Sequence, residues 1–161
     1  MHRSPLSPQA VVPALVALGA NLGERERTLR AALAELEARG FRVAARSSFY
    51  ETKPVGYLNQ PDFINAVALI DVPATVSADD FLAELLAVEK KFGRVRTFPN
   101  APRTLDLDLI FFGDERCSRP RLTLPHPRWS EREFVLAPMR EIFDALPENF
   151  RRTAAGTLGK D

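Results

Sequence analysis

Pro102-Arg103-Thr104-Leu105-Asp106-Leu107-Asp108-Leu109-Ile110-Phe111-Phe112 is the stretch from which the fold is read. Its apolar and β-branched residues predict a strand, and strand side chains alternate between two faces. Leu105, Leu107, Leu109 and Phe111 are thereby expected to enter a core. Asp106 and Asp108 are expected on the other face, about 7 Å apart at Cα for a rise of ~3.3 Å per residue. Like charges so placed repel, and Asp is a poor strand former, so the pattern asks for a compensating cation. Two carboxylates at this spacing can bridge a pair of Mg²⁺ ions, which prefer hard oxygen ligands. Arg103, just ahead of them, could hold a phosphate between metal and guanidinium. The plainer alternative is a solvated strand face with two surface acids.

Upstream, residues 14–18 read as a short buried strand ended by Gly19-Ala20-Asn21-Leu22-Gly23. A helix over 24–39 follows, with Leu29, Ala32, Leu33 and Leu36 as its apolar stripe and Gly40 as its stop. Residues 41–50 form a second strand, 51–61 a loop with Pro54, Gly56 and Pro61, and 63–72 a third strand. Ser77-Ala78-Asp79-Asp80 is a helix N-terminus. That helix runs to about 92, with Phe81, Leu85, Val88 and Phe92 inward. Residues 94–103 are a loop, and the acidic strand is the fourth. Beyond Gly113 come a polar turn, a short strand at 122–124, Pro125-His126-Pro127 and a short helix near 131–137.

The order β-α-β-β-α-β predicts an α+β fold of ferredoxin-like type: an antiparallel four-stranded core sheet with two helices on one face, plus C-terminal additions. Residues 1–161 read as a single domain with a core of about 14–143; 1–13 and 145–161 are expected to be tails. The other sheet face is open unless the C-terminal segment covers part of it. The two acids would look out on that side, with the loops at 51–61 and 94–103 closing over the same surface.

Composition narrows the function classes. At 161 residues, 45% hydrophobic and 27% charged, the chain has the make-up of a soluble globular protein. A net charge of +1 gives no global field for nucleic acid or a membrane surface. No apolar run approaches the ~20 residues of a membrane span, and the N-terminus lacks a signal-peptide apolar region. The single cysteine, Cys117, cannot form an internal disulfide and suits a reducing cytoplasm. We therefore expect a cytoplasmic monomer with small-molecule substrates and neither nucleic acid nor membrane as partner. Between Arg94 and Arg132 there are eight arginines and no lysine, and arginine favours planar, bidentate partners such as phosphate. With 18 Arg to 4 Lys overall, a compositional bias explains the same count.

A second constellation is Gln60-Pro61-Asp62-Phe63-Ile64-Asn65. Phe63 and Asn65 share a strand face, and an aromatic ring beside a primary amide suits a flat heteroaromatic ligand with donor and acceptor edges. A core Phe and an Asn closing a strand start explain the pair equally well. Arg121 and Thr123 alternate along a short strand before His126, and the three could line a polyphosphate. Glu89 sits one position past the apolar stripe of its helix, where a solvated glutamate is ordinary. No zinc cluster, Walker loop or nucleophile elbow is present.

These residues are similar to those of the 6-hydroxymethyl-7,8-dihydropterin pyrophosphokinases of folate biosynthesis. The resemblance spans roughly 14–143. It is carried by Gly19-Ala20-Asn21-Leu22-Gly23, Ser47-Ser48-Phe49-Tyr50-Glu51-Thr52, Pro54-Val55-Gly56, Gln60-Pro61-Asp62-Phe63-Ile64-Asn65, Gly93-Arg94-Val95-Arg96, Pro102-Arg103-Thr104-Leu105-Asp106-Leu107-Asp108 and Leu124-Pro125-His126-Pro127, in that order. It implies transfer of the β,γ-pyrophosphoryl group of ATP to the pterin hydroxymethyl oxygen, leaving AMP. It also implies two Mg²⁺ on Asp106 and Asp108, and Arg94 and Arg103 on the phosphates as further catalytic groups. Glu89, Leu109, Arg121, Thr123 and His126 match ATP-binding positions. Thr52, Val55, Phe63, Asn65 and Phe134 match the pterin pocket, with Arg132 beside it. The chain departs from the common pattern at Asn100-Ala101, where many members have Trp-Gly in a loop one residue longer. Pro99 replaces a basic residue, and Ala20 replaces a common Ser.

Two rival readings share the topology. An RNA-binding or ligand-sensing module would use Phe63 as an open stacking platform. A two-metal nucleotidyltransferase would use the same acidic strand but release pyrophosphate.

Overall fold

In chain order the elements are β1 (Val11–Ala20), α1 (Arg25–Ala38), β2 (Arg42–Arg46), β3 (Tyr50–Thr52), β4 (Phe63–Pro73), α2 (Ala78–Lys91), β5 (Asp106–Phe112), β6 (Cys117–Arg119), β7 (Leu122–Leu124), α3 (Glu133–Glu141) and α4 (Glu148–Leu158). Short 3-10 turns lie at Trp129–Glu131 and Phe143–Ala145. This computed structural model describes residues 10–93 and 104–160. The main sheet runs β2-β4-β1-β5, every pairing antiparallel, and β3 adds to the end of β4 beyond β2. This is the ferredoxin-like order expected of β-α-β-β-α-β.

One face of the sheet packs under α1 and α2. Leu29, Ala32, Leu33 and Leu36 of α1 and Phe81, Leu85 and Val88 of α2 share a core with Val16, Leu18, Ile70, Leu105, Leu107 and Leu109. The start of α2 is the one expected: Ser77 Oγ accepts the Asp80 N–H at 3.1 Å, and acids in the first turn and lysines in the last complement the helix dipole.

The opposite face is not open. Leu15, Ala17, Val67, Leu69, Ile110 and Phe111 lie under Val135, Leu136 and Met139 of α3 and Phe150, Ala154 and Leu158 of α4. The segment from 145 onward, expected to trail, is thus a helix with a buried stripe. Its three apolar contacts at i, i+4 and i+8 sit among polar residues, which hides the pattern, and Gly159 closes it in the left-handed conformation (φ 70°). Phe111 anchors this second layer, with its ring centroid 5.0 Å from that of Phe150 and 5.2 Å from that of Trp129.

Phe111 therefore points away from the leucines, contrary to strict alternation. Val16 pairs with Leu109 but Leu15 pairs with Phe111, so Ile110 is an extra residue, a β-bulge. The bulge shifts the phase of β5: Leu105, Leu107, Leu109 and Phe112 face α2, while Ile110 and Phe111 face α3 and α4.

Other boundaries moved for local reasons. Val11, Val12 and Pro13, expected in a tail, pair with β4. The strand expected over 41–50 divides into β2 and β3 around Ser47, whose hydroxyl accepts the Val67 N–H at 3.0 Å. The helix expected near 131–137 begins at Glu133 and continues through Pro138 to Glu141. The polar turn after Gly113 contains β6, which pairs with β7 as a hairpin.

Because Phe150 fills the second layer against Phe111, Phe150→Ala is expected to lower the unfolding free energy by about 3–5 kcal/mol. Urea titration followed by circular dichroism measures it; a loss under ~1 kcal/mol would show that α4 is not part of the core.

Candidate active site

Cross-strand partners share a sheet face. Gly19 of β1 lies opposite Asn65 of β4 on one side and Asp106 of β5 on the other, and Ala17 lies opposite both Val67 and Asp108. Asp106 and Asp108 therefore stand on the same face as Asn65 and Phe63, two strands away, about 10 Å at ~4.8 Å per strand. This is the face covered by α3 and α4, beyond the end of that apolar layer, so both acids are half-buried rather than splayed into solvent.

Three elements hold the acidic strand. Glu89, expected on a solvated face, is buried at 2% exposure, and its Oε2 accepts the Leu107 N–H at 2.7 Å. That N–H lies between the two acids on the outermost strand of the sheet, so the carboxylate satisfies an edge donor and fixes β5 to α2. Thr104 Oγ donates to Phe92 O at 2.7 Å, joining the start of β5 to the end of α2. On the far side, the His126 N–H donates to Ile110 O at 2.9 Å.

His126 follows a cis Leu124–Pro125 bond. Its Nδ1 accepts the Arg128 N–H at 3.1 Å, which leaves the proton on Nε2 as a donor. Burial, then the charges of Arg132 and Arg128 against that of Asp106, hold its pKa down at about 4. Arg132 Nη1 lies 3.6 Å from Asp108 Oδ2, and its guanidinium is 5.6 Å from the Phe134 ring centroid.

The flat-ligand side is equally ordered. Thr52 pairs with Phe63, and Tyr50 with Asn65. Asn65, 7% exposed, donates through Nδ2 to Thr52 Oγ. Glu141 of α3 accepts from Ser48 N (3.0 Å), Ser48 Oγ (2.9 Å) and the Tyr50 hydroxyl (2.7 Å), pinning β3 to the helical layer. Two residues not singled out from sequence hold the loop before β4. Asn21, 1% exposed, donates to Gln60 Oε1 (2.7 Å) and Pro61 O (3.0 Å), and Arg25 Nη1 donates to Asp62 O (2.7 Å). Asn21 and Gln60 both lie inside conspicuous motifs, but only the fold brings them together.

The structure thus gathers Asp106, Asp108, His126 and Arg132 on one side and Thr52, Phe63 and Asn65 on the other. Thr123 and Arg121 follow along and before β7, Arg121 exposed. Val55 is 62% exposed on its loop. Leu109 is in the helix-side core, so a ligand could meet only its main chain on the outer strand. Phe63 is 7% exposed and offers no open stacking platform for RNA. Arg94 and Arg103 lie outside the described residues. Among the described residues no group of three His, Cys, Asp or Glu could hold a metal by itself. A carboxylate pair, with water and substrate oxygens completing the shell, is the donor set that suits Mg²⁺, and the Arg132 guanidinium stands beside Asp108. No helix among the described residues is long and apolar enough to cross a membrane.

Residues 15–144 match the family model described as 7,8-dihydro-6-hydroxymethylpterin-pyrophosphokinase. A 2-amino-4-hydroxy-6-hydroxymethyldihydropteridine pyrophosphokinase from Synechocystis sp. is 45% identical over 136 residues, 84% of this chain and 68% of that protein. Proteins of the same name from Bacillus subtilis and Haemophilus influenzae are each 41% identical, over 130 and 137 residues; these cover 80% and 84% of this chain, and 77% and 84% of the respective relatives. The chain is an enzyme of the pyrophosphokinase class. It belongs to the 7,8-dihydro-6-hydroxymethylpterin-pyrophosphokinase family.

The held-down pKa of His126 gives a direct check. Between the ordinary value of about 6.5 and about 4, the unfolded chain binds a proton that the native ring refuses. Its contribution to stability is therefore whole above pH 6.5 and is lost as pH falls to about 4. In an NMR titration the His126 ring is expected to stay neutral from pH 8 down to about 5. A midpoint near 6.5 for His126 would contradict the buried, Nε2-protonated ring.

Proposed function

We propose that this enzyme transfers the β,γ-pyrophosphoryl group of ATP to the hydroxymethyl oxygen of 6-hydroxymethyl-7,8-dihydropterin in folate biosynthesis, releasing AMP. The observation that carries the reading is the position of the acidic pair. Asp106 and Asp108 lie between the Thr52–Phe63–Asn65 cluster and the His126 side of β5, on one sheet face. A donor on one side and an acceptor on the other then meet over the carboxylates.

The pterin is bound by Thr52, Val55, Phe63, Asn65 and Phe134, the Asn65 amide matching its donor and acceptor edge and the aromatic rings its faces. ATP is bound by Glu89, Leu109, Arg121, Thr123 and His126. Of these, Leu109 contributes through the main chain, and neutral His126 through a hydrogen bond from Nε2 that is independent of pH above about 5. Glu89 also holds the main chain between the acids, so it shapes the site as well as lining it.

Asp106 and Asp108 would hold two Mg²⁺ ions, which supply charge neutralisation on the phosphoryl oxygens and lower the pKa of the attacking hydroxyl. Displacement at the β-phosphorus needs alignment and electrostatic stabilisation more than covalent help. Arg94 and Arg103 would provide the latter from the segment before β5, and Arg132 is a further cation already within reach of the site. Residues 1–161 act as one catalytic domain, and the protein works as a cytoplasmic monomer.

Asp106→Ala and Asp108→Ala are each expected to reduce turnover about a thousandfold, ~4 kcal/mol of barrier, while leaving the thermal melt intact. Chromatography of the nucleotide product decides the reaction: AMP is expected with the pterin present. Release of pyrophosphate, or turnover within about tenfold of wild type in either variant, would overturn the proposal.

A further inference from the structure

Gly19 occupies the centre of the row Tyr50–Asn65–Gly19–Asp106, between the amide and the first acid. Glycine inside a strand weakens it, and its usual justification is an unusual φ or a close approach by another group. Gly19 is not among the positive-φ glycines, so its backbone would accept alanine without strain. What forbids a side chain is space. A Cβ at position 19 would stand 2.8 Å from Asn65 Oδ1 and 3.8 Å from both Asn65 Cγ and Phe63 Cδ1. Asn65 cannot swing aside without cost, because its Nδ2 is bound to Thr52 Oγ and the residue is almost fully buried.

We propose that Gly19 is a positioning residue for pterin recognition: its missing side chain lets the Asn65 amide lie flat across β1, in the one orientation that presents its polar edge to the ligand. The inference rests on the pterin reading of the site and adds a residue that touches neither phosphate nor metal in that reading. It implies that a single methyl group at position 19 damages one substrate site and spares the other. Gly19 lies beside Asp106 in register, but the three nearest atoms a Cβ would meet belong to Asn65 and Phe63.

The test is a double-mutant cycle on the full chain, with 6-hydroxymethyl-7,8-dihydropterin and the Mg²⁺ complex of α,β-methylene-ATP as calorimetric probes. Gly19→Ala is expected to weaken pterin binding about tenfold or more, the loss of a hydrogen-bonding amide, and to leave nucleotide affinity within about twofold. In an Asn65→Ala background the same change is expected to alter pterin affinity less than about twofold, because the group it displaces is gone. If Gly19→Ala alone does not fold, Gly19→Ala/Asn65→Ala is expected to fold as Asn65→Ala does, since the shortened neighbour leaves room for the Cβ, and a double variant that also fails to fold would overturn the proposal. Equal losses in both backgrounds, parallel loss of pterin and nucleotide, or no loss in the single variant would overturn the role of Gly19 while leaving the proposed reaction standing. Wild-type protein that binds nucleotide but no pterin would remove the functional reading itself, and this inference with it.

Discussion

The two-residue period of β5 is the constraint on which the site depends. Burying Leu105, Leu107 and Leu109 under α2 contributes about 2 kcal/mol for each side chain. Two carboxylates about 7 Å apart repel by roughly 0.6–2.4 kcal/mol, depending on how well water screens them. The leucines win, and in winning they force Asp106 and Asp108 onto the opposite face. The unfavourable pair is thus sustained by the core beneath it. A cation that relieves the repulsion would find a place already prepared, and among the described residues Arg132 stands 3.6 Å from Asp108.

The layers around the sheet divide the remaining work. The helical layer of α1 and α2 fixes the strands, and through Glu89 it reaches past the sheet edge to the main chain between the acids. The C-terminal layer covers the apolar part of the other face and stops short of its end. The end beyond it is bordered by Arg132 and Phe134 at the start of α3 and by the Glu141 contacts to Ser48 and Tyr50 further along that helix. Site and support come from the same few elements, which keeps the acids, the amide and the histidine in a common frame.

Much of this was legible in the sequence because it follows from periodicity and caps. The βαββαβ order, the Ser77 cap and the placement of the acids on the side of Asn65 are all local patterns with one physical solution. What escaped the sequence depends on tertiary context. A bulge at Ile110 has no signature among consecutive apolar residues. α4 shows only three inward residues in a polar background, and β6 is a strand because β7 pairs with it. Glu89 reads as a solvated glutamate until β5 is seen to offer it an unpaired donor. Gly19 reads as a loop glycine until Asn65 is found lying over it. The arginines at 94 and 103, prominent in the motifs, lie outside the described residues.

The extra residue at Ile110 makes β5 two independently phased half-strands. Up to Leu109 the alternation sets the two acids on one face; after it, a reset alternation serves the packing of α3 and α4 through Phe111. Evolution can therefore exchange the aromatic anchor, and with it the angle of the C-terminal helices, without turning an aspartate inward. The bulge acts as a mechanical joint that insulates chemistry from architecture within a single seven-residue strand.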